Sequence, residues 1–180
     1  MKKFFVLLSA AAFLLSCNAD NTATVKSATD STETTKSEPL NLPFKIAKTP
    51  DWEIGDPAHV VTAMNTLKAF VDNDMTAIRQ YLADSVEFYS DNIRFQGSKD
   101  SLVKFFTNLR GNVDSIEIDM QDYESVKSKG RGEEWVSMWY VETDQAKNGT
   151  RDSSMVMDDI KIVNGKVAII DSKGRRLAKQ

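Results

Sequence analysis

The pattern of apolar and polar positions divides the chain into a helical part and a strand-rich part. Apolar residues recur at spacings of three and four over 56–72, 75–82 and 98–110, which is typical of helices that bury one face. The first helix is predicted to begin with Asp56 as N-cap and Pro57 at the first helical position. Gly111 is predicted to end the third helix in a left-handed conformation. From Val113 onward the apolar period falls to about two, which predicts strands.

Short polar segments order these strands. Residues 85–97 are predicted to form a hairpin that turns at Asp91. The dipeptides Asn148-Gly149 and Asn164-Gly165 favour hairpin turns, because both residue types tolerate positive φ. The third helix should therefore be followed by four consecutive antiparallel strands. Helices that precede a meandering sheet indicate an α+β domain with the helices on one sheet face.

The strand "EEWVSMWYVETD", Glu133 to Asp144, carries large apolar groups at positions that point to opposite sides. One face holds Trp135, Ser137, Trp139 and Val141, and the other holds Val136, Met138, Tyr140 and Glu142. The helices can cover only one face of the sheet. The other should be covered by the extended lead-in over 44–54 or by a second copy of the chain, because monomers seldom expose a patch with two tryptophans. We expect a homodimer through this sheet face.

The N-terminus is typical of an exported protein. "MKKFFVLLSAAAFLLSC" has two lysines and then an apolar run, Phe4 to Leu15, that is too short to span a bilayer comfortably. Its end, "LLSC", resembles the lipobox of bacterial lipoproteins. The resemblance implies that residues 1–17 are a signal peptide and that Cys17 is lipidated, which anchors the protein in the cell envelope. Asn18 favours the outer membrane. The alternative is an ordinary secretory signal in which the cysteine occurs by chance.

Composition sets the remaining boundaries. Residues 18–43 are rich in Ser, Thr and charged residues and contain no aromatic residue, so they are predicted to form a disordered tether. The domain is expected over 44–172, followed by a basic, frayed tail over 173–180. The chain has 23 basic and 26 acidic residues, a net charge of −3, and no long basic run. This charge pattern argues against a nucleic-acid partner.

The order of elements is similar to that of a known family. "HVVTAMNTLKAFVDNDMTAIRQYLADSVEFYSDN" and "FQGSKDSLVKFF" resemble the opening segments of nuclear transport factor 2-like (SnoaL-like) domains, and the turn over 163–166 resembles their closing turn. The resemblance implies a cone-shaped, curved antiparallel sheet packed on three helices, with a pocket at its open end. Some members are enzymes, others bind ligands or partners, and many form dimers.

Candidate site residues follow in part from the resemblance. It implies Asp91 as the general base, with Tyr89 as a hydrogen-bond donor, although an Asp is also common in a turn for structural reasons. One of Asp158 and Asp159 must point inward or into an interface, and burial would raise the pKa of an inward Asp. Residues of the core or of a ligand pocket are predicted to be Tyr81, Phe88, Phe95, Phe106, Trp135, Trp139, Met157 and Asp158. His59 is the only histidine, so no metal site or cofactor is expected.

Three functions fit these patterns. The first is a lipid-anchored envelope protein that binds a small apolar or amphipathic ligand or a protein partner. The second is a small cofactor-independent isomerase, hydratase or hydrolase with a pocket Asp as general base. The third is an interaction module with a filled pocket. An open cavity with a buried carboxylate and a facing Tyr or Trp donor would favour the enzyme, and an open apolar cavity without them would favour binding.

Overall fold

The computed structural model describes residues 41–48, 50–91 and 93–178. The chain divides into two units between Lys45 and Ile46, two residues after the predicted start of the domain. Residues 41–45 have exposed side chains and contain no helix or strand. The predicted signal peptide, the lipidation site Cys17 and most of the predicted tether lie outside the described residues.

The described part of the second unit contains three helices and seven strands. The helices are α1 (Pro57–Val71), α2 (Met75–Tyr81) and α3 (Lys99–Arg110). The strands are β1 (Trp52–Ile54), β2 (Leu82–Ser90), β3 (Ile93–Ser98), β4 (Val113–Ser128), β5 (Glu134–Ala146), β6 (Arg151–Val163) and β7 (Lys166–Arg176). The two long α-helices precede the four long strands, so the predicted α+β class is confirmed.

Side-chain caps fix where each helix begins. Asp56 accepts a hydrogen bond from the Ala58 backbone N–H at 2.8 Å, and Asp74 and Ser98 cap α2 and α3 in the same way. Each cap pairs one of the backbone donors that a helix leaves free in its first turn. Gly111 ends α3 with φ −62°, an ordinary right-handed value. The predicted left-handed stop is therefore wrong: the Gly111 N–H bonds to the Thr107 carbonyl, and the chain enters β4 directly.

The strands form one curved sheet in the order β1-β4-β5-β6-β7-β2-β3. The meander from β4 to β7 is antiparallel throughout, as predicted. The pairing of β2 with β7 is parallel, with Phe88 opposite Ile170. This pairing departs from the all-antiparallel prediction. It arises because the β2–β3 hairpin joins the edge formed by the last strand, far away in sequence.

The helices cover one face of the sheet, which we call the inner face. On β5, Val136, Met138 and Tyr140 are buried under the helices, whereas Trp135 and Trp139 are half-buried on the opposite, outer face. Side chains of a strand alternate between faces, and this alternation resolves the double apolar pattern of β5. The most deeply buried large side chains of the core are Ile78, Leu82, Leu102, Met138, Val86, Val136 and Val167.

Both ends of the domain differ from the prediction. Within the lead-in, residues 52–54 form the edge strand β1, which pairs with β4 through the backbone. Ile46 and Ile54 are 50% and 93% exposed, so the expectation that these side chains pack on the domain is wrong. At the other end, β7 continues to Arg176, which is paired with Ser154. Residues 173–176 therefore belong to the sheet, because β6 is long enough to pair with them.

Candidate functional site

A cavity of about 190 Å³ lies between the helices and the inner face of the sheet. Its helical wall is apolar and includes Leu67, Phe70, Phe106 and Leu109. Phe106 lies at the centre of this wall. Its ring centroid is 5.2 Å from that of Phe70 and 5.1 Å from that of Phe88, and both pairs are arranged edge to face. The opposite wall is different. It carries the polar side chains Ser90, Tyr140, Glu142, Asp158 and Ser172 from the central strands.

The centre of the polar wall is a hydrogen-bonded pair. The Tyr140 hydroxyl on β5 donates to Asp158 Oδ2 on β6 at 2.8 Å. The strand register pairs Asp158 with Met138, and Met138 and Tyr140 are consecutive inner-face residues of β5. The Asp158 carboxyl group is therefore a diagonal neighbour of Tyr140. Asp158 is 5% exposed. Burial raises the pKa of Asp158, although the hydroxyls of Ser172 and Tyr140 oppose this rise. Burial and the neighbouring carboxyl also raise the pKa of Tyr140, so its hydroxyl keeps its proton.

A second acidic group lies beside this pair. Glu142 is the next inward residue of β5, and burial raises its pKa to about 7, with smaller contributions from Asp144 and Asp158. Asp144 continues the same row, and burial raises its pKa too, although Arg110 opposes the change. The inner end of β5 therefore presents a row of carboxyl groups, one of which is half-ionised near neutral pH.

The polar wall has one buried atom without a partner. Asp158 Oδ1 is inaccessible to solvent and accepts no hydrogen bond of good geometry from the described residues. A buried acceptor without a partner costs free energy. The cavity side chains in the described ranges include no Lys, Arg or His. The cavity thus combines an apolar wall, two acidic groups and an unpaired acceptor.

The structure brings together three of the residues predicted for the pocket. Phe88, Phe106 and Asp158 all border the cavity. Phe95 lies instead at the β3 edge, where its ring stacks on Phe105 at 5.8 Å. Tyr81 is the last residue of α2 and does not border the cavity. Spacing alone could not separate these aromatic residues, because all of them lie on or next to the apolar face of a helix or strand.

Three other predicted pocket residues lie on the outer face. Trp139 and Met157 are directly paired across β5 and β6, and Trp135 borders a separate cleft of about 380 Å³ with Trp52 and Arg131. Their assignment to the pocket is wrong, because they occupy the odd positions of β5 and β6 while the cavity uses the even ones. Sequence alternation could not show which of the two sets the helices cover.

The predicted catalytic residues also lie away from the cavity. Asp91 is an exposed turn residue with φ 41° between β2 and β3. Tyr89 donates a hydrogen bond to Glu87, and the Arg94 guanidinium lies 5.6 Å from its ring centroid. Both residues border an open cleft of about 460 Å³ at the hairpin end. Their strand neighbours Phe88 and Ser90 are the ones that border the inner cavity.

Sequence reasoning did not select Tyr140 and Glu142 as site residues. The signal was available in the β5 sequence, where the inward series Val136, Met138, Tyr140, Glu142 becomes more polar toward one end. A strand that changes from apolar to acidic on its covered face indicates a polar site beneath that cover.

Two further structural properties concern metals and membranes. Within residues 41–48, 50–91 and 93–178, no group of three or more His, Cys, Asp or Glu side chains could hold a metal ion. None of the helices in the described part of the chain combines the length and hydropathy of a membrane-spanning segment.

Solved structures of other proteins show that this is the nuclear transport factor 2-like fold. An LEH-like epoxide hydrolase from M. tuberculosis has a TM-score of 0.55 and 13% identity, covering 66% of this chain and 83% of its own. An NTF2-like protein of unknown function from Burkholderia pseudomallei has a TM-score of 0.54 and 12% identity, and the match covers 68% of this chain and 92% of that protein. A SnoaL-like protein from Shewanella denitrificans has a TM-score of 0.55 and 12% identity, and the match covers 67% of this chain and 92% of that protein. No family model and no curated protein matches the sequence. The predicted fold is confirmed.

Proposed function

We propose that the domain binds a small, mainly apolar molecule in the inner cavity, with one polar group of the molecule placed at the Tyr140–Asp158 pair. The observation that carries this proposal is an open cavity whose helical wall is mainly apolar and whose sheet wall holds the hydrogen-bonded Tyr140–Asp158 pair and Glu142. A polar group of the ligand would hydrogen-bond to this wall and offset part of the cost of burying its polar side chains. Ligand sites in proteins are commonly apolar cavities with a few polar groups that fix orientation.

Native mass spectrometry of the domain purified without its signal peptide tests this proposal. We expect a bound small molecule, or a mass shift when one-ring apolar compounds are added. Phe106→Trp should abolish this binding, since the larger ring would fill the cavity next to Phe70 and Phe88. Phe105→Trp, on the neighbouring position outside the cavity lining, is the matched control. Equal binding by both variants would contradict the proposal.

A second candidate function is general acid–base catalysis. Glu142 has a pKa of about 7, which suits a base that works near neutral pH. Tyr140 and Asp158 lie beside it, and because burial raises the pKa of both groups, a proton held by this pair could stabilise a developing oxyanion. The fold is compatible with catalysis, since the LEH-like epoxide hydrolase of M. tuberculosis shares it. Enolisation of a ketone is the simplest reaction for such a set: Glu142 removes a proton from the α-carbon, and the carbonyl oxygen receives a hydrogen bond.

Proton exchange measures that reaction without knowledge of the natural substrate. Cyclohexanone in deuterated buffer should exchange its α-protons faster with the domain, and the rate should rise as pH increases through about 7. Glu142→Gln should reduce the rate to the background, whereas Glu124→Gln, an exposed carboxyl on β4, should leave it unchanged. No acceleration over buffer would argue for binding without catalysis.

We also propose that the protein is held in the cell envelope by lipid on Cys17, with the outer membrane as the favoured location. The support is the lipobox-like "LLSC" after a short apolar run. Labelled palmitate should appear on the full-length chain in a bacterial host and be absent from Cys17→Ser. Labelling of the Cys17→Ser chain would contradict this proposal.

A further inference from the structure

We infer that the inner cavity selects a small organic cation, an amine whose ammonium group lies between Glu142 and Asp158 and whose apolar body contacts the helical wall. The inference rests on the proposed binding function, because it names the chemical class of the ligand for that same cavity.

The first support is the sign of the charged groups. The cavity lining contains Glu142 and Asp158 and, among the described residues, no basic side chain. The nearest candidates are already engaged elsewhere. Arg110 donates to the backbone carbonyls of Val71 and Val113, and Lys173 bridges two outer-face carboxylates. A cationic ligand would therefore supply the missing positive charge.

The second support is the balance of hydrogen-bond donors and acceptors. Among the hydroxyls of the cavity, those of Tyr140 and Ser172 bond to Asp158, and that of Thr66 donates to the Thr62 carbonyl at 2.8 Å. Their protons are not available to a ligand. The carboxyl groups of Asp158 and Glu142 border the cavity and are acceptors when ionised. An ammonium group offers three donors and no acceptor, so it complements this wall better than a carbonyl or a carboxylate.

The third support is size. The cavity measures about 190 Å³, and an apolar cavity of about 150 Å³ is sufficient for benzene. One six-membered ring therefore fits against Phe70 and Phe106, with one carbon to carry the ammonium group toward the carboxyls. Cyclohexylmethylamine has this shape, and its ammonium stays charged at about pH 8 because alkylammonium groups lose their proton near pH 10.

Calorimetric titration of the domain at about pH 8 tests the inference with three isosteric probes. These are cyclohexylmethylamine, cyclohexylmethanol and cyclohexanecarboxylate. We expect the amine to bind at least about tenfold more tightly than the alcohol, and the carboxylate not to bind. Glu142→Gln should reduce the preference for the amine over the alcohol to about threefold or less. Urea unfolding of Glu142→Gln checks separately that the variant remains folded.

Asp158→Asn should also reduce the preference for the amine over the alcohol, and Glu124→Gln is the control for removal of an exposed carboxyl. If the alcohol binds as tightly as the amine, the cation preference is wrong and the proposed binding function stands. If the amine binds equally well to Glu142→Gln and the unaltered domain, the assigned position of the ammonium group is wrong. If no probe binds at millimolar concentration, the proposed binding function fails as well.

Discussion

The Tyr140–Asp158 pair is buried under the helices, where apolar residues of similar size would be more stable. A buried carboxyl must be desolvated, and one hydrogen bond offsets only part of this cost. We expect Tyr140→Phe to reduce the free energy of unfolding by about 1–3 kcal/mol, because it removes the hydroxyl that donates to the buried Asp158 Oδ2. The double variant Tyr140→Phe/Asp158→Leu should recover most of this loss. Urea unfolding measures both.

A double variant that is less stable than Tyr140→Phe would show that the pair serves the structure and not a ligand. Thr143→Val is a suitable control, since it also removes a cross-strand hydrogen bond, to Ser153, but from a half-buried position on the same strand.

Glu142 should make the stability of the domain depend on pH. Its pKa is about 7 in the folded protein, compared with an ordinary value of 4.5. Between these values the folded state binds more protons than the unfolded state. The contribution of Glu142 is therefore complete below about pH 4.5 and is lost as pH rises through about 7. The loss is about 3 kcal/mol, and Asp158 acts in the same direction.

Glu142→Gln should remove this pH dependence, because an amide does not titrate. Guanidinium unfolding between about pH 5 and 8 should show the variant gaining stability relative to the unaltered domain as pH rises, whereas Glu124→Gln should follow the unaltered domain. Parallel curves for all three proteins would mean that the Glu142 carboxyl is not desolvated.

At the scale of single residues, the sequence predicted an inward carboxyl correctly but did not predict where the other candidate residues lie. Asp158 was identified as a candidate because one of two adjacent strand residues must point inward, and it does. Asp91 and Tyr89 were assigned from the family resemblance, and the structure places them at the outer hairpin end. Their position depends on the pairing of β2 with β7, which joins residues more than eighty positions apart, and no local pattern specifies such a pairing.

At the scale of elements, Arg110 joins three parts of the fold. It is 7% exposed, and its guanidinium donates to the carbonyl of Val71 at 3.1 Å and to that of Val113 at 2.9 Å. It therefore pairs a free carbonyl at the end of α1 and holds the α3–β4 junction beside it. Arg110→Met should lower the free energy of unfolding by about 2–4 kcal/mol, because buried carbonyls would lose their donor.

Arg110→Lys should recover little of that loss, since an ammonium group cannot reproduce the forked geometry of a guanidinium. Arg151→Met is the control, because Arg151 makes an exposed ion pair with Glu117 that should contribute less than about 1 kcal/mol. Thermal and urea unfolding of the three variants provide the comparison. An Arg110→Met domain as stable as the Arg151→Met domain would contradict the proposed role of Arg110.

The elements themselves were predicted well where a local signal marks their ends. The caps at Asp56 and Ser98 and the positive-φ turn at Asn164 and Gly165 lie where the sequence indicated. The lead-in was predicted correctly as extended, but its place as an edge strand with an exposed Ile54 was not predicted. That strand is held by backbone pairing with β4, and the Trp52 ring lies under the Arg131 guanidinium at 4.8 Å.

At the scale of the whole molecule, the α+β class followed from the order of the periodic segments and the fold from the family resemblance. Three helices cover the inner face, and the meander from β4 to β7 forms the sheet. What remained open was the assignment of faces, because alternation fixes which residues share a face and not which face meets the helices. Each half-buried residue of the outer face was consequently a candidate for the pocket.

The outer face carries the last prediction, that two copies of the domain associate through it. Half-buried apolar side chains form a group on the central strands, namely Trp139, Val141, Met155 and Met157, and the Ser137–Asp159 pair separates this group from Trp135. Polar residues border this group, including Asp159, which is bonded to Ser137 and to Lys173. An apolar centre with a polar rim is the common arrangement of protein interfaces. We therefore expect a dimer at tens of micromolar in sedimentation equilibrium.

Trp139→Lys should shift this equilibrium toward the monomer, because each dimer would place two added charges in an apolar contact. Tyr123→Lys tests whether any new lysine has the same effect. Tyr123 on β4 is 55% exposed and is paired with Met138, so it lies on the inner face and not on the proposed interface. Because the cavity lies on the other side of the sheet, binding of a one-ring probe should be the same in the Trp139→Lys monomer and in the dimer. A monomer at every concentration for the unaltered domain would rule out the dimer and leave the cavity proposal intact, which makes the two functions of the sheet separable by experiment.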